Sequence, residues 1–189
     1  MDGDSLKWRT LSSRIIVSDR WLTLRADTCE TADRVRIDPY YVIEMRNEVV
    51  AVAITVDRNL VLVRQYRHGL GAVTLELPAG LMEPNEDPIA ACRRELLEET
   101  GFSGGEASVL RSASTSPVRY SNRAHIILIQ GVTKTAFAKD DPTERVETQL
   151  WPLDHAERLM FEPEFADLSL MGALASALAA LKTEVVGSK

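Results

Sequence analysis

The chain has 189 residues and 21.0 kDa, with 45% hydrophobic and 26% charged residues, which is material for one ordinary domain with a small appendage and excludes a disordered or low-complexity protein. Its 22 basic and 28 acidic residues give a formal charge of −6, a poor balance for nucleic acid or an anionic membrane, both of which need clustered Lys and Arg. No apolar run approaches the roughly 20 residues of a membrane span, Met1 to Ser5 lacks signal-peptide character, and Cys29 and Cys92 cannot build a disulfide framework; the expectation is a soluble, reduced, cytoplasmic protein.

Residues 1–47 read as short strands around Ile15 to Val17, Trp21 to Ala26 and Val35 to Glu44. This N-terminal β region is more polar than the rest of the chain and is expected to pack on another subunit. Residues 48–189 read as the main domain. Val49 to Val56 and Leu60 to Arg64 are expected strands joined by the turn Asp57-Arg58-Asn59. Thr74 to Leu77 runs into Pro78-Ala79-Gly80. The first strong helix is expected over 88–100, with Asp87 as N-cap, Pro88 in the first turn and Gly101 just past the end. Strands come next at about 107–113 and 123–131, then a polar loop over 134–145, a strand from Val146 to Trp151, and helices over 153–160 and 167–182. The last helix places Leu170, Leu174, Leu178 and Leu181 on one stripe. A mixed sheet between helices is the expected core.

The chemistry lies in one stretch. On a helix Glu95, Glu98 and Glu99 stand at i, i+3 and i+4 and share a face, with Ala91 one turn earlier leaving room, while Ile89, Cys92, Leu96 and Thr100 turn to the core. Crowded carboxylates repel and call for a compensating cation; an all-oxygen set suits Mg²⁺ or Mn²⁺. Arg94 points sideways from Glu95 and can reach back to Glu86, holding the loop on the helix. The plainer alternative is a solvated acidic helix face, and the Leu-Pro-Ala-Gly turn and acidic loop in front of the helix weigh against it.

Residues 80–102 resemble the Nudix box, G-x5-E-x7-R-E-U-x-E-E-x-G-U with U a bulky apolar residue: Gly80, Glu86, Arg94, Glu95, Leu96, Glu98, Glu99, Gly101 and Phe102 meet every fixed position. The resemblance implies an α/β fold, an α/β/α sandwich with a mixed sheet, that hydrolyses nucleoside diphosphates linked to another moiety. It further implies direct metal ligation by Glu95 and Glu99, with Glu98 either a ligand or an acid just behind them, the Ala79 carbonyl as backbone ligand, and Glu86 and Arg94 orienting the box. Arg64-Gln65-Tyr66-Arg67, Glu76-Leu77-Pro78-Ala79-Gly80, Pro117 and Ser121-Asn122 resemble the branch acting on ADP-ribose and nucleoside diphosphate sugars, in which the N-terminal strands exchange within a homodimer. That branch implies substrate contacts at Arg67, Glu76, Arg64 and Pro117, and a general base in the loop before the last strand. Glu144 is the first candidate there and Glu147 the second, with a box glutamate as the remaining option. Trp8, Trp21, Tyr40 and Tyr41 can stack a base or pack in the core; His125, in an apolar strand, reads as a core histidine. Alternatives are hydrolysis of a GDP-sugar or dinucleoside polyphosphate, or a non-catalytic nucleotide-sugar sensor. The intact box argues against the sensor.

Overall fold

The computed structural model describes residues 5–139 and 145–187. They form two compact units, one comprising residues up to Arg46 together with 114–123, the other Asn47–Ala113 and the chain from Ala124 onward. The segment 114–123, expected within the 48–189 domain, thus groups with the N-terminal strands.

The first unit is a three-stranded antiparallel sheet in the order β1 (Arg9–Ser18), β2 (Thr23–Glu30), β3 (Arg36–Glu44). The β1–β2 turn is closed by Asp19, whose carboxylate accepts from the Trp21 and Leu22 N–H groups at 2.7 and 2.9 Å. β2 starts and ends later than expected, because its buried residues are Ala26 to Cys29. The 114–123 segment is pinned to β3. Ile43 N–H donates to the Arg119 carbonyl at 2.8 Å, Ser121 N–H donates to the Ile43 carbonyl at 3.2 Å, and the Tyr40 hydroxyl donates to the Val118 carbonyl at 2.8 Å. Every residue of the edge strand β1 is exposed, Leu11, Ile15, Ile16 and Val17 among them.

The second unit is built on a seven-stranded mixed sheet. Its main path runs β10 (Val146–Pro152), β5 (Asn59–Arg67), β4 (Glu48–Thr55), β9 (Ala124–Lys134), β8 (Phe102–Ala113). Among the described residues of this sheet, β4 and β9 pair parallel and the other strand pairs are antiparallel. β4 and β5 meet at a single bridge, Ile54 with Leu60, and then part. β6 (Ala72–Glu76) pairs β5 and the short β7 (Ala79–Leu81) pairs β4, so the Leu77-Pro78 turn crosses from one diverging strand to the other. Ala51 N–H donates to the Pro78 carbonyl at 2.8 Å and locks that crossing.

Strand alternation sends residues to two apolar layers. Val49, Ala51, Ala53 and Val61 pack with Ala91, Cys92 and Leu96 of helix α1 (Pro88–Thr100). Val50, Val52, Ile54, Leu60 and Leu62 pack with Phe165 and with Leu170, Ala173 and Leu174 of helix α3 (Leu168–Gly187). Leu178 and Leu181 lie partly buried on the same layer. The result is the α/β/α sandwich.

Three local expectations are corrected. β8, expected from about 107, begins at Phe102, directly after α1, and runs through Gly104 and Gly105, whose φ of 81° and 71° let the strand bend. Arg93 steadies that bend, donating to the Gly104 and Gly105 carbonyls at 2.6 and 2.8 Å. The helix expected over 153–160 is a 3₁₀ turn, Leu153–His155, followed by the single-turn α2 (Ala156–Leu159). Ala91 is fully buried in the α1 layer, so it packs the core and does not leave space beside the glutamates.

Candidate active site

α1 starts where its caps dictate. The Asp87 carboxylate accepts from Ile89 and Ala90 N–H groups, both at 3.0 Å, with Pro88 in the first turn. Gly101 closes it in the left-handed region at φ 73°, its N–H on the Leu97 carbonyl. A Cβ on Gly101 would also lie 2.1 Å from the Ala136 carbonyl oxygen, because the chain after β9 runs over the helix end. Thr135 and Ala136 N–H groups donate to the Gly101 carbonyl at 2.9 and 3.1 Å, and Lys139 N–H donates to the Glu98 carbonyl at 2.7 Å.

The exposed edge of α1 gathers the box carboxylates. Glu95 lies against Gly80: a Cβ there would fall 2.1 Å from the carboxyl carbon, so only glycine leaves the carboxylate its place. Glu99 accepts from Ala79 N–H at 3.2 Å. Glu98 stands 4.0 Å from Arg94 and 3.9 Å from the Lys139 ammonium. Arg94 holds Glu86 with a two-pronged pair, both contacts 3.0 Å, and also donates to Glu95 at 2.7 Å and to the Leu81 carbonyl at 3.3 Å. It therefore reaches forward to Glu95 as well as back to the loop, and does not turn aside from its neighbour. The Arg94 guanidinium, with the Glu83 N–H at 2.8 Å, holds the Glu86 carboxyl down at about 2. Arg94 is pushed up in turn, chiefly by Glu86.

Among the described residues no three carboxylate, imidazole or thiol groups are already drawn together as a cation cage. Glu95 is turned to Arg94 and Glu99 to the Ala79 N–H. The donors nevertheless fit a hard divalent ion. They are all oxygen, and Glu86, Glu95 and Glu98 converge on the one guanidinium of Arg94, with Lys139 beside Glu98. Gly80 leaves the cradle that Glu95 needs. Ala79 meets the box through its N–H.

Arg67 and Glu76, expected to contact substrate separately, are brought together. Arg67 donates to Glu76 at 2.9 and 2.6 Å. They share the α1 side of the sheet, since Arg67 has the alternation of Val61 and Glu76 pairs Val63. Arg64, also expected to contact substrate, has the alternation of Leu60 and Leu62 and faces the α3 layer, two-pronged on Glu164 at 2.9 and 3.0 Å. Glu147 stands opposite it on β10, 4.0 Å from its guanidinium, and so also faces away from α1. Pro117 lies in the first unit, in a turn where Arg119 and Tyr120 N–H groups donate to the Ser116 carbonyl. Glu144 lies outside the described residues. Trp8 packs edge-on against Tyr40 at 5.9 Å, and His125 shares a 2.7 Å hydrogen bond with Ser112. Burial pushes the Cys92 thiol up to about 12, so it behaves as a small apolar group.

Sequence reasoning missed Thr74, Gln65 and Lys139. Thr74 and Glu76, like Gln65 and Arg67, are two apart on a strand and so share a face, a signal that the sequence does contain. Nothing in the sequence brings Lys139 to Glu98.

The chain is similar to known proteins in sequence and in fold. Residues 45–169 match the NUDIX domain and residues 8–43 the nucleoside diphosphate sugar hydrolase N-terminal domain. The chain is 28% identical over 164 residues to the ADP compounds hydrolase NudE of Escherichia coli, covering 87% of this chain and 88% of the relative. It is 30% identical over 166 residues to the methanol dehydrogenase activator of Bacillus methanolicus, covering 87% and 89%. It is 26% identical over 164 residues to the ADP-ribose pyrophosphatase of Bacillus subtilis, covering 86% and 88%. A crystal structure of an ADP compounds hydrolase superposes with a TM-score of 0.84 at 29% identity, covering 94% of this chain and 96% of that one. No helix among the described residues is long and apolar enough to cross a membrane.

Proposed function

This chain belongs to the NUDIX family, and from that premise we propose that it hydrolyses the pyrophosphate bond of ADP-ribose or a related nucleoside diphosphate sugar. Water adds to one phosphorus, the bridging oxygen leaves with the other, and ADP-ribose yields AMP and ribose 5-phosphate. The observation that carries this reading is the complete carboxylate set on α1, seated by Gly80 and Arg94. A sensor that binds without cleaving has no use for four such groups.

Mg²⁺ or Mn²⁺, held by Glu95, Glu98, Glu99 and the Ala79 carbonyl, would neutralise phosphate oxygens and make a bound water more acidic. The chain's own residues do the rest. Arg94 and Glu86 keep the 81–87 loop on the helix, so the carboxylates stay in register. Arg67 offers a planar fork to a phosphate group. Glu144 takes the proton from the attacking water, and the α3-side placement of Glu147 favours Glu144 over it. The exposed apolar edge of β1 supports a homodimer formed through the first unit. The acidic, cysteine-poor composition supports a cytoplasmic setting.

The test is a panel of ADP-ribose, other ADP- and GDP-sugars and dinucleoside polyphosphates, incubated with Mg²⁺ or Mn²⁺ and with products identified. Preferential release of AMP and a sugar phosphate is expected. Turnover of dinucleoside polyphosphates alone would move the substrate class, and binding with no cleavage would favour the sensor.

A further inference from the structure

β5 and β6 carry a polar cluster that the box does not include. Glu76 is 5% exposed, deep for a carboxylate. It accepts from Arg67 Nε at 2.9 Å, Arg67 Nη2 at 2.6 Å, Thr74 Oγ1 at 2.6 Å and Gln65 Nε2 at 3.4 Å. The strand register makes this possible: Gln65 faces Thr74, Val63 faces Glu76, and Arg67 faces Ala72, so all four side chains emerge on one face. Thr74 is buried at 4% exposure, and its hydroxyl has one proton for two acceptors. The Glu76 carboxylate at 2.6 Å takes it ahead of the Gln65 carbonyl at 3.3 Å. Glu76 is therefore surrounded by donors from its own chain. Arg67, by contrast, keeps 43% of its side chain exposed while its Nε and Nη2 are fixed from behind. Two of the three guanidinium nitrogens, at the end of a long and flexible side chain, are thus held in one plane by a buried carboxylate.

We infer that Glu76 is not a substrate contact but a positioning residue, and that Thr74 is a second one behind it: together they orient the Arg67 guanidinium for a phosphate oxygen of the substrate. The inference rests on the pyrophosphohydrolase reading for the ligand, and on the hydrogen bonds alone for the orientation. A buried carboxylate with a preset acceptor geometry selects one guanidinium rotamer, so less side-chain entropy is lost on binding. Removing the Thr74 hydroxyl leaves Glu76 one donor short and frees it to turn, and Arg67 with it.

The experiment compares wild type, Thr74→Val, Thr74→Ser, Arg67→Gln and Thr74→Val/Arg67→Gln in the full chain, each verified as folded by circular dichroism. One readout is steady-state kinetics on ADP-ribose. The other needs no substrate: exchange with water of the Arg67 Nε–H, followed by NMR of ¹⁵N-arginine-labelled protein. Thr74→Val is expected to raise KM on the order of tenfold with kcat within about twofold, and Thr74→Ser to restore it, since an interaction made equally in ground and transition states moves KM alone. In the Arg67→Gln background Thr74→Val should add almost nothing, because both act through one group. The Arg67 Nε–H should exchange slowly in wild type and Thr74→Ser and faster in Thr74→Val. Additive effects in the double variant, or an unchanged Nε–H in Thr74→Val, would overturn the inference. So would faster exchange with an unmoved KM in an active enzyme. If wild type cleaves nothing in the panel, the functional reading fails, while the exchange data still decide whether Thr74 orients Arg67.

Discussion

On the α1 side of the sheet, Glu86, Glu95, Glu98 and Glu99 crowd together, with Arg94 shared among three of them and Lys139 beside Glu98. On the α3 side charge is matched almost partner for partner: Arg64 with Glu164, Arg58 with Asp154, Lys182 with Glu157. Both sides use the same residue types at similar distances. Pairing alone therefore does not mark a site. What differs is proportion: on the α3 side two of the three cations meet one anion each and Arg64 meets two, Glu164 and Glu147, whereas the α1 edge makes three carboxylates share one guanidinium. Balanced pairs on a solvated surface contribute little; a crowded oxygen-rich cluster is an offer to a cation.

The sharpest way to break this contrast is Glu99→Gln. It keeps the size and removes one charge from the cluster. Turnover should fall on the order of a thousandfold, beyond the tenfold to hundredfold typical for an outer partner of a metal site, with the melting temperature little changed. Excess chelator should have a similar effect on wild type. A variant of undiminished activity would place the chemistry elsewhere.

Glu144→Gln comes next. Loss of a general base costs roughly 10² to 10⁴ in rate, and kcat should drop in that range while KM stays within a few-fold. Glu147→Gln should do little, because Glu147 faces Arg64 on the far side. A reversed order of the two effects would make Glu147 the base.

Gly80→Ala tests the cradle. The added methyl falls 2.1 Å from the Glu95 carboxyl carbon, so the carboxylate must move. Activity should drop roughly tenfold to a hundredfold, as for a displaced metal-site partner, and calorimetric titration should show weaker Mn²⁺ binding. Unchanged Mn²⁺ affinity would show that Glu95 does not need that position.

Arg64→Gln sharpens the contrast from the balanced side. Both kcat and KM on ADP-ribose should stay within about twofold, the signature of a surface pair with no bound partner. A large rise in KM would return Arg64 to the substrate site.

The smallest effect is in pH. Glu86 has an ordinary value of 4.5 and is held at about 2 by Arg94 in the folded chain. A depressed acid contributes stability that is fully present above its unfolded value and is lost as pH falls to the folded one. The difference in melting temperature between wild type and Glu86→Gln should thus be constant above about pH 4.5 and shrink toward pH 2. A difference that persists unchanged at pH 2 would remove Glu86 from the pairing.

The box and its helix are legible in the sequence because their determinants are local. Asp87, Pro88 and Gly101 set the ends of α1, and the helical period puts Glu95, Glu98 and Glu99 together. The central strands are legible for the same reason. The two sides of Arg64 and Arg67 are not. They stand three apart on one strand, so alternation puts them on opposite faces, but which face meets α1 depends on the pairing of β5 with its neighbours. The strand expected at about 107 begins at Phe102, because Arg93, from the helix, holds Gly104 and Gly105 as a bend within β8.

The end of α1 has a consequence for how such a chain can change over generations. Residues 135–139 are bonded to the Gly101 and Glu98 carbonyls, and β10 takes over at Val146. Both anchor points of the stretch that holds Glu144 are thus fixed by residues outside it. A change in the sequence between the anchors leaves these hydrogen bonds and the pairing of β10 with β5 in place. Insertions or deletions between the anchors can therefore accumulate while the box stays in place. Gly101 is the opposite case: any side chain there collides with the Ala136 carbonyl and shifts helix and anchor at once. The fold thus sets two secured anchors beside a position that admits glycine alone.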